Sequence, residues 1–126
     1  MRTVTYSNGT KKTFKRFDDI TDNDNVIELN CSWNNLTHLP ENMNFPNLEK
    51  LDCSYNNLTY LPENMNFPNL KVLGCYENKL THLPENMNFP NLKSFSCLDN
   101  NLTHLPLSLM NCRNLVYLHY ENNEIV

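Results

Sequence analysis

The chain has 126 residues and a formal net charge of −4, from 10 Lys and Arg against 14 Asp and Glu. That length holds one domain, and the charge argues against nucleic acid or an anionic membrane as the main partner. No apolar run is long enough to span a bilayer, and the N-terminal MRTVTYSNGTKKTF lacks the apolar stretch of a signal peptide. Five cysteines, an odd number with no C-x-x-C pair, favour a reducing intracellular compartment and a cytoplasmic protein that is not secreted.

Residues 1–25 have the character of an N-terminal cap. Thr3-Val4-Thr5-Tyr6 is β-prone, Asn8-Gly9 is a strong signal for a type I′ turn, and Thr13-Phe14 begins a second strand. Phe14, Phe17 and Ile20 are placed to cover the open core of whatever follows.

From residue 26 the chain is periodic. LPENMNFPNL stands unchanged at 39–48, 61–70 and 83–92, a spacing of 22 residues. A fixed period in that range is the signature of a solenoid, each repeat being one unit stacked on the next. Around the identical segment run Leu48-x-x-Leu51-x-Cys53-x-x-Asn56-x-Leu58, then Leu70, Leu73, Cys75, Asn78, Leu80, then Leu92, Phe95, Cys97, Asn100, Leu102. Val26, Leu29, Cys31, Asn34 and Leu36 form an earlier copy; Leu115, Leu118, Tyr120, Asn123 and Ile125 form a last one. Leu51 and Cys53 alternate onto one face of a short strand, leaving Lys50, Asp52 and Ser54 on the other. Successive strands then lie side by side and parallel, about 4.8 Å apart. The proline- and asparagine-rich return cannot form a long helix and should be extended or 3-10-like. In the last repeat Pro106–Met110 is one residue longer than its counterparts, and Cys112 stands where Phe45, Phe67 and Phe89 stood. The chain then stops in mid-repeat at Ile125-Val126, without a capping element.

These five matches to L-x-x-L-x-L-x-x-N-x-L resemble the leucine-rich repeat family over about residues 26–126. The LTxLPExMxxPNL variant with cysteine in the strand looks most like repeats of giant amoeba-infecting DNA viruses and of protists. The resemblance implies a right-handed superhelix of strand and 3-10 or irregular return, with a short parallel sheet on the concave side. It also implies that this concave sheet binds a protein or peptide.

The residues weigh in the same direction. Variation between copies is concentrated on the outward strand positions, while the return segment is frozen. Those positions are Glu28, Asn30, Ser32 and Trp33; Lys50, Asp52, Ser54 and Tyr55; Val72, Gly74, Tyr76 and Glu77; Ser94, Ser96, Leu98 and Asp99; and Tyr117, His119, Glu121 and Asn122. Trp33, Tyr55, Tyr76 and Tyr117 offer aromatic anchors. Glu28, Asp52, Glu77, Asp99 and Glu121 against Lys50 suggest a basic partner.

Other constellations read as scaffold. Cys31, Cys53, Cys75 and Cys97 form a straight file that diverges along the axis, so they are small buried hydrophobes and not metal ligands. Asn34, Asn56, Asn78, Asn100 and Asn123 carry donor and acceptor on one amide, and should bond turn backbone of their own repeat and the next. His38, His82 and His104 share a position that Tyr60 interrupts, and read as a solvent-facing ridge. The N-x-[ST] triplets at Asn8, Asn30, Asn35, Asn57 and Asn101 are by-products of the motif. No phosphate loop or nucleophile–base motif appears, so neither an enzyme nor a cofactor is expected. The expected function is a non-catalytic interaction module, with self-assembly through an open C-terminal end, as a homodimer, as the alternative.

Overall fold

The computed structural model describes residues 1–125; Val126, the final position of the last repeat, lies outside them. The strands are β1 Arg2–Tyr6, β2 Lys11–Phe14, β3 Val26–Asn30, β4 Lys50–Asp52, β5 Val72–Gly74, β6 Ser94–Ser96 and β7 Tyr117–His119. They form one sheet in the order β2-β1-β3-β4-β5-β6-β7. The β3–β7 run is parallel, and Leu29, Leu51, Leu73, Phe95 and Leu118 pair across it in register. Their side chains point inward, which makes the 22-residue period the geometric period of the sheet. β1 is antiparallel to both β2 and β3.

The hairpin corrects one expectation. Asn8 keeps a negative φ and only Gly9 is left-handed, at φ +90. The Gly9 N–H donates to the Tyr6 carbonyl at 2.8 Å, and the Tyr6 N–H to the Thr10 carbonyl at 2.8 Å. This is a three-residue loop in which a right-handed turn is followed by a glycine bulge, and not a type I′ turn; Asn-Gly serves either. β1 also contributes more to the interior than its sequence suggested. Val4 and Tyr6 are buried beside Ile20, with Phe14 and Phe17 packed half-buried against them.

Each return folds back on a turn whose chemistry is local. The Leu48, Leu70 and Leu92 N–H groups donate to the Phe45, Phe67 and Phe89 carbonyls, each at 3.1 Å. Proline sits at the second position of these turns, where its fixed φ is already right. The phenylalanines file into the core, Phe67 and Phe89 lying nearly parallel with ring centres 6.5 Å apart. In the last repeat the buried Cys112 takes that place, and the longer return winds into a 3-10 turn, Leu107–Asn111.

The turn asparagines form a file of their own. Asn69 Nδ2 reaches the Pro46 carbonyl at 3.5 Å, Asn91 that of Pro68 at 2.8 Å, and Asn114 that of Pro90 at 3.1 Å. Asn47 does the same toward Asp24, at 2.7 Å.

The inner asparagines bind more tightly, and in the direction opposite to that expected. Asn78 Nδ2 donates to Cys75 and Tyr76 in its own repeat, and to the Cys53 carbonyl, at 3.1 Å, in the preceding one. Its Oδ1 accepts the Leu58 N–H at 3.0 Å, again from the preceding repeat. Asn56, Asn100 and Asn123 repeat the pattern. The link runs backward because the left-handed residue before each asparagine swings the amide toward the strand already laid down. Asn34 has no earlier repeat; the Met1 amino group and carbonyl take that role.

Replacing Asn78 by Ala leaves the buried Leu58 N–H without its partner and takes one of two hydrogen bonds from each of the Cys53, Cys75 and Tyr76 carbonyls. We expect a loss of about 1–3 kcal/mol in denaturant titration, with Asn78→Asp, which cannot donate, also destabilising. An unchanged midpoint in both variants would show that this amide carries no stability.

Cys31, Cys53, Cys75 and Cys97 stack one per layer and are fully buried. The Cys53 Sγ–H lies 3.3 Å from the Gly74 carbonyl of the following repeat. Burial, then the Asp52 carboxylate, pushes the Cys31 thiol up to about 12; burial, then Glu121, does the same for Cys97. Burial also raises Cys53 and Cys75 well above their ordinary value. Raised folded values mean that the unfolded chain releases these protons first as pH climbs. Stability is therefore fully present below about pH 9, the unfolded thiol value, and falls as pH rises toward 12. Denaturation midpoints that do not drop between pH 8 and pH 10.5, or fast native-state alkylation at pH 8, would contradict this burial.

Candidate protein-binding face

The outward positions fall into four rows across the strands. The first holds Glu28, Lys50, Val72, Ser94 and Tyr117; the second holds Asn30, Asp52, Gly74, Ser96 and His119. Beyond the strand ends the ladder continues, with Tyr55 N–H to Tyr76 C=O at 3.0 Å and Glu77 N–H to Leu98 C=O at 3.1 Å. This sets a third row of Ser32, Ser54, Tyr76, Leu98 and Glu121. The fourth row is Trp33, Tyr55, Glu77, Asp99 and Asn122, and every member has a left-handed φ between 55 and 59. No glycine occupies that row, so the bend positions carry full side chains outward.

Trp33 and Tyr55, neighbours in the fourth row, stack face to face with ring centres 4.1 Å apart and planes at 8°. Tyr76, from the third row, meets Tyr55 edge-on at 5.3 Å and 82°. Three of the four expected anchors thus form one cluster. Tyr117 does not join it; it stands in the first row, two strands beyond β5, because the last repeat carries its aromatic at a different position.

Two expected contact residues are not available to a partner. Ser54 and Gly74 are buried. A Cβ at Gly74 would lie 3.2 Å from Ser54 Oγ, 3.3 Å from Asp52 Oδ1 and 3.6 Å from the Tyr76 ring, so the glycine leaves room for these three side chains. Asp52 is partly committed as well, since its Oδ1 accepts the Ser54 N–H at 3.0 Å. In the first repeat Asn30 plays the same part toward Ser32, at 3.0 Å.

The hairpin adds residues that the repeat pattern did not mark. Thr3, Thr5 and Lys11 join Glu28, Asn30, Lys50 and Asp52 around a hollow of about 200 Å³. The period-2 alternation of Thr3-Val4-Thr5-Tyr6 was the signal for them. Charge on the face is therefore divided. Lys11 and Lys50 face Glu28 and Asp52 at the N-terminal end, while Glu77, Asp99 and Glu121 carry the acidic excess farther along. A second hollow, about 220 Å³, is lined by Trp33, Asn35, Tyr55, Asn56, Asn57 and Glu77. A larger cleft of about 440 Å³ lies off the sheet, between Arg2, Arg16, Phe17 and the Leu36–His38 stretch.

Apart from His119, the histidines lie elsewhere. His38, His82 and His104 are exposed, each with Nδ1 within 3.2–3.3 Å of the preceding threonine hydroxyl. Among the described residues no three His, Cys, Asp or Glu side chains converge as metal ligands.

Comparison with known proteins agrees with this geometry. Residues 46–85 match the family model described as leucine rich repeats (2 copies). No curated protein matches the chain. Among solved structures it is similar to YopM from Yersinia enterocolitica WA-314, at 30% identity and a TM-score of 0.50 over 79% of this chain. The match covers 25% of that protein, so this chain spans about a quarter of its length. The period, the parallel sheet and these matches together identify the fold as a leucine-rich repeat solenoid.

Proposed function

We propose that the protein is a non-catalytic interaction module that binds a protein or peptide through the outer face of its sheet. The observation that carries this is the aromatic cluster, in which Trp33 is 73% exposed while stacked in a fixed orientation on Tyr55. A large apolar surface held out to water on a rigid support is the arrangement of a binding anchor. The split between frozen return segments and variable outward rows supports the same reading. So does the match to leucine-rich repeats. The acidic excess at Glu77, Asp99 and Glu121 favours a basic partner over nucleic acid or an anionic membrane surface.

Five cysteines that are all free and buried support a reducing compartment, the cytoplasm of a host if the repeats are of the giant-virus type they resemble. A fluorescent fusion found in the secretory pathway would overturn that placement.

Self-assembly is the second reading. Among the described residues the edge strands are β2 and β7, and Val116, Tyr117 and Tyr120 are 70%, 61% and 45% exposed at the β7 edge. An unpaired edge flanked by apolar side chains recruits strands. Light scattering at increasing concentration separates the two readings: a monomer supports the adaptor, a dimer lost on Tyr117→Lys the assembly unit.

The direct test uses peptides selected from a random display library on the intact protein. Trp33→Ala and Tyr55→Ala are expected to weaken the selected peptides by more than about 1 kcal/mol, roughly fivefold, with the fold intact by circular dichroism. Substitutions on the opposite side, at Glu41, Glu63 and Glu85, are expected to have no effect. The reverse pattern would place the binding surface on the return segments.

A further inference from the structure

The sheet has a free edge at its hairpin end, and the charge there is opposite to that of the outer rows. β2, Lys11–Phe14, pairs only with β1, and its first three residues are exposed. The Tyr6 N–H donates to the Thr10 carbonyl, so hydrogen-bonded pairs recur at Val4 with Lys12 and at Arg2 with Phe14. The N–H and C=O groups of Lys11 and Thr13 therefore point away from β1, to the side where no strand lies. Two usual guards of a free edge are missing from β2: it holds no proline, and its register with β1 is unbroken.

The guard it has is charge. Lys11, Lys12, Lys15 and Arg16 put four cations within six residues. Among the described residues only Arg16 enters an ion pair, with Asp18 at 3.7 Å. Alternation sends Lys11 and Thr13 to the outer face with Thr5 and Thr3, and Lys12 and Phe14 to the other. Lys12 accordingly lies over the ring of the buried Tyr6, its Nζ 5.8 Å from the centre, and Phe14 packs half-buried on the core. Like charges opposite one another destabilise a strand pair, so the lysines bar a second copy of this edge; opposite charges do the reverse. The chain's own Asp18, Asp19 and Asp24 are held in two 3-10 turns and are not free to pair.

We infer that the β2 edge docks an extended acidic segment of a partner protein as an added strand. Two consecutive acidic residues, one on each face, meet Lys11 and Lys12. Next along the segment a β-branched residue sits beside Thr13, and an apolar one covers the exposed part of Phe14. A nucleic acid strand fits less well, because the two lysines diverge to opposite faces and the free backbone groups want a peptide ladder. This edge is separate from the aromatic cluster and stands without the reading above.

The test follows the fluorescence anisotropy of a labelled, capped peptide carrying valine-threonine-glutamate-glutamate as the intact protein is added. Saturable binding is expected, weakening as salt is raised. It is expected to fall about fivefold when both glutamates become glutamine, or when Lys11→Gln and Lys12→Gln are combined. Both lysines are exposed, so the melting temperature of that variant is expected to be unchanged. Strand pairing has its own signature: N-methylation of one alternate set of peptide amides abolishes binding, and of the other set is tolerated. No saturation, equal binding of the glutamine peptide, equal effects of the two methylation patterns, or tighter binding of a single-stranded oligonucleotide would overturn the proposal. Trp33→Ala is expected to leave the acidic peptide unaffected. Loss of binding in that variant would move the peptide to the aromatic face and remove the edge.

Discussion

One side-chain amide per repeat holds successive layers in register. Each ladder asparagine offers donors and an acceptor, and the turn leaving each strand presents backbone groups of both signs within reach of one amide. The cysteine carbonyls make the arrangement continuous. Cys53 accepts from Asn56 in its own layer and from Asn78 in the next, and Cys75 serves Asn78 and Asn100 in the same way. A carbonyl has two lone pairs, and both are used. The chain of contacts runs from Met1 through Asn34 to Asn123. Neither Asp nor Ser can occupy such a position, because the first lacks donors and the second lacks reach. A buried and half-satisfied amide is costlier than none, so the ladder stands or fails by layers.

The ladder has a backbone cost that shapes the surface. Each amide is aimed by the residue before it, which must take a left-handed conformation. For a side chain other than glycine this costs roughly 1–2 kcal/mol. Here the position is filled by Trp33, Tyr55, Glu77, Asp99 and Asn122, so the strain is accepted at every layer. In return each of these side chains leaves the fold at a fixed angle, at the edge of the sheet. Scaffold and surface then meet at adjacent residues: the asparagine is invariant, and its predecessor is free to vary.

That adjacency explains what was legible in the sequence and what was not. The period, the inward Leu and Cys positions and the ladder asparagines repeat against a varying background, so they stand out. The direction of the ladder does not, since a 22-residue period is symmetric to a reader who cannot see the bend. The turn file of Asn47, Asn69, Asn91 and Asn114 was hidden for another reason. Its first three members lie inside identical copies, and identical copies offer no contrast between residues that bond and residues that merely came along. Ser54 and Gly74 were misread as contact residues because alternation reports which face a side chain takes, not what lies over it. Gly74 is hemmed in by Ser54 and Asp52 of the preceding layer and by Tyr76 of its own, contacts that alternation cannot report. The Trp33–Tyr55 stack is likewise a product of register, since it joins residues 22 positions apart through a row that only the bend defines.

The same separation bears on how the face binds. Association loses affinity to the ordering of side chains and loops, at about 0.5–1.5 kcal/mol for each flexible side chain immobilised. Trp33, Tyr55 and Tyr76 already restrict one another in the free protein, and the backbone beneath them is pinned on both sides by ladder bonds. Little remains to be ordered when a ligand arrives. Change in this surface can proceed one side chain at a time, because nothing in the core depends on which residue stands at the bend. The face is thus both rigid and free to diversify. Both properties come from the buried amide that fixes the backbone and leaves the neighbouring side chain unconstrained.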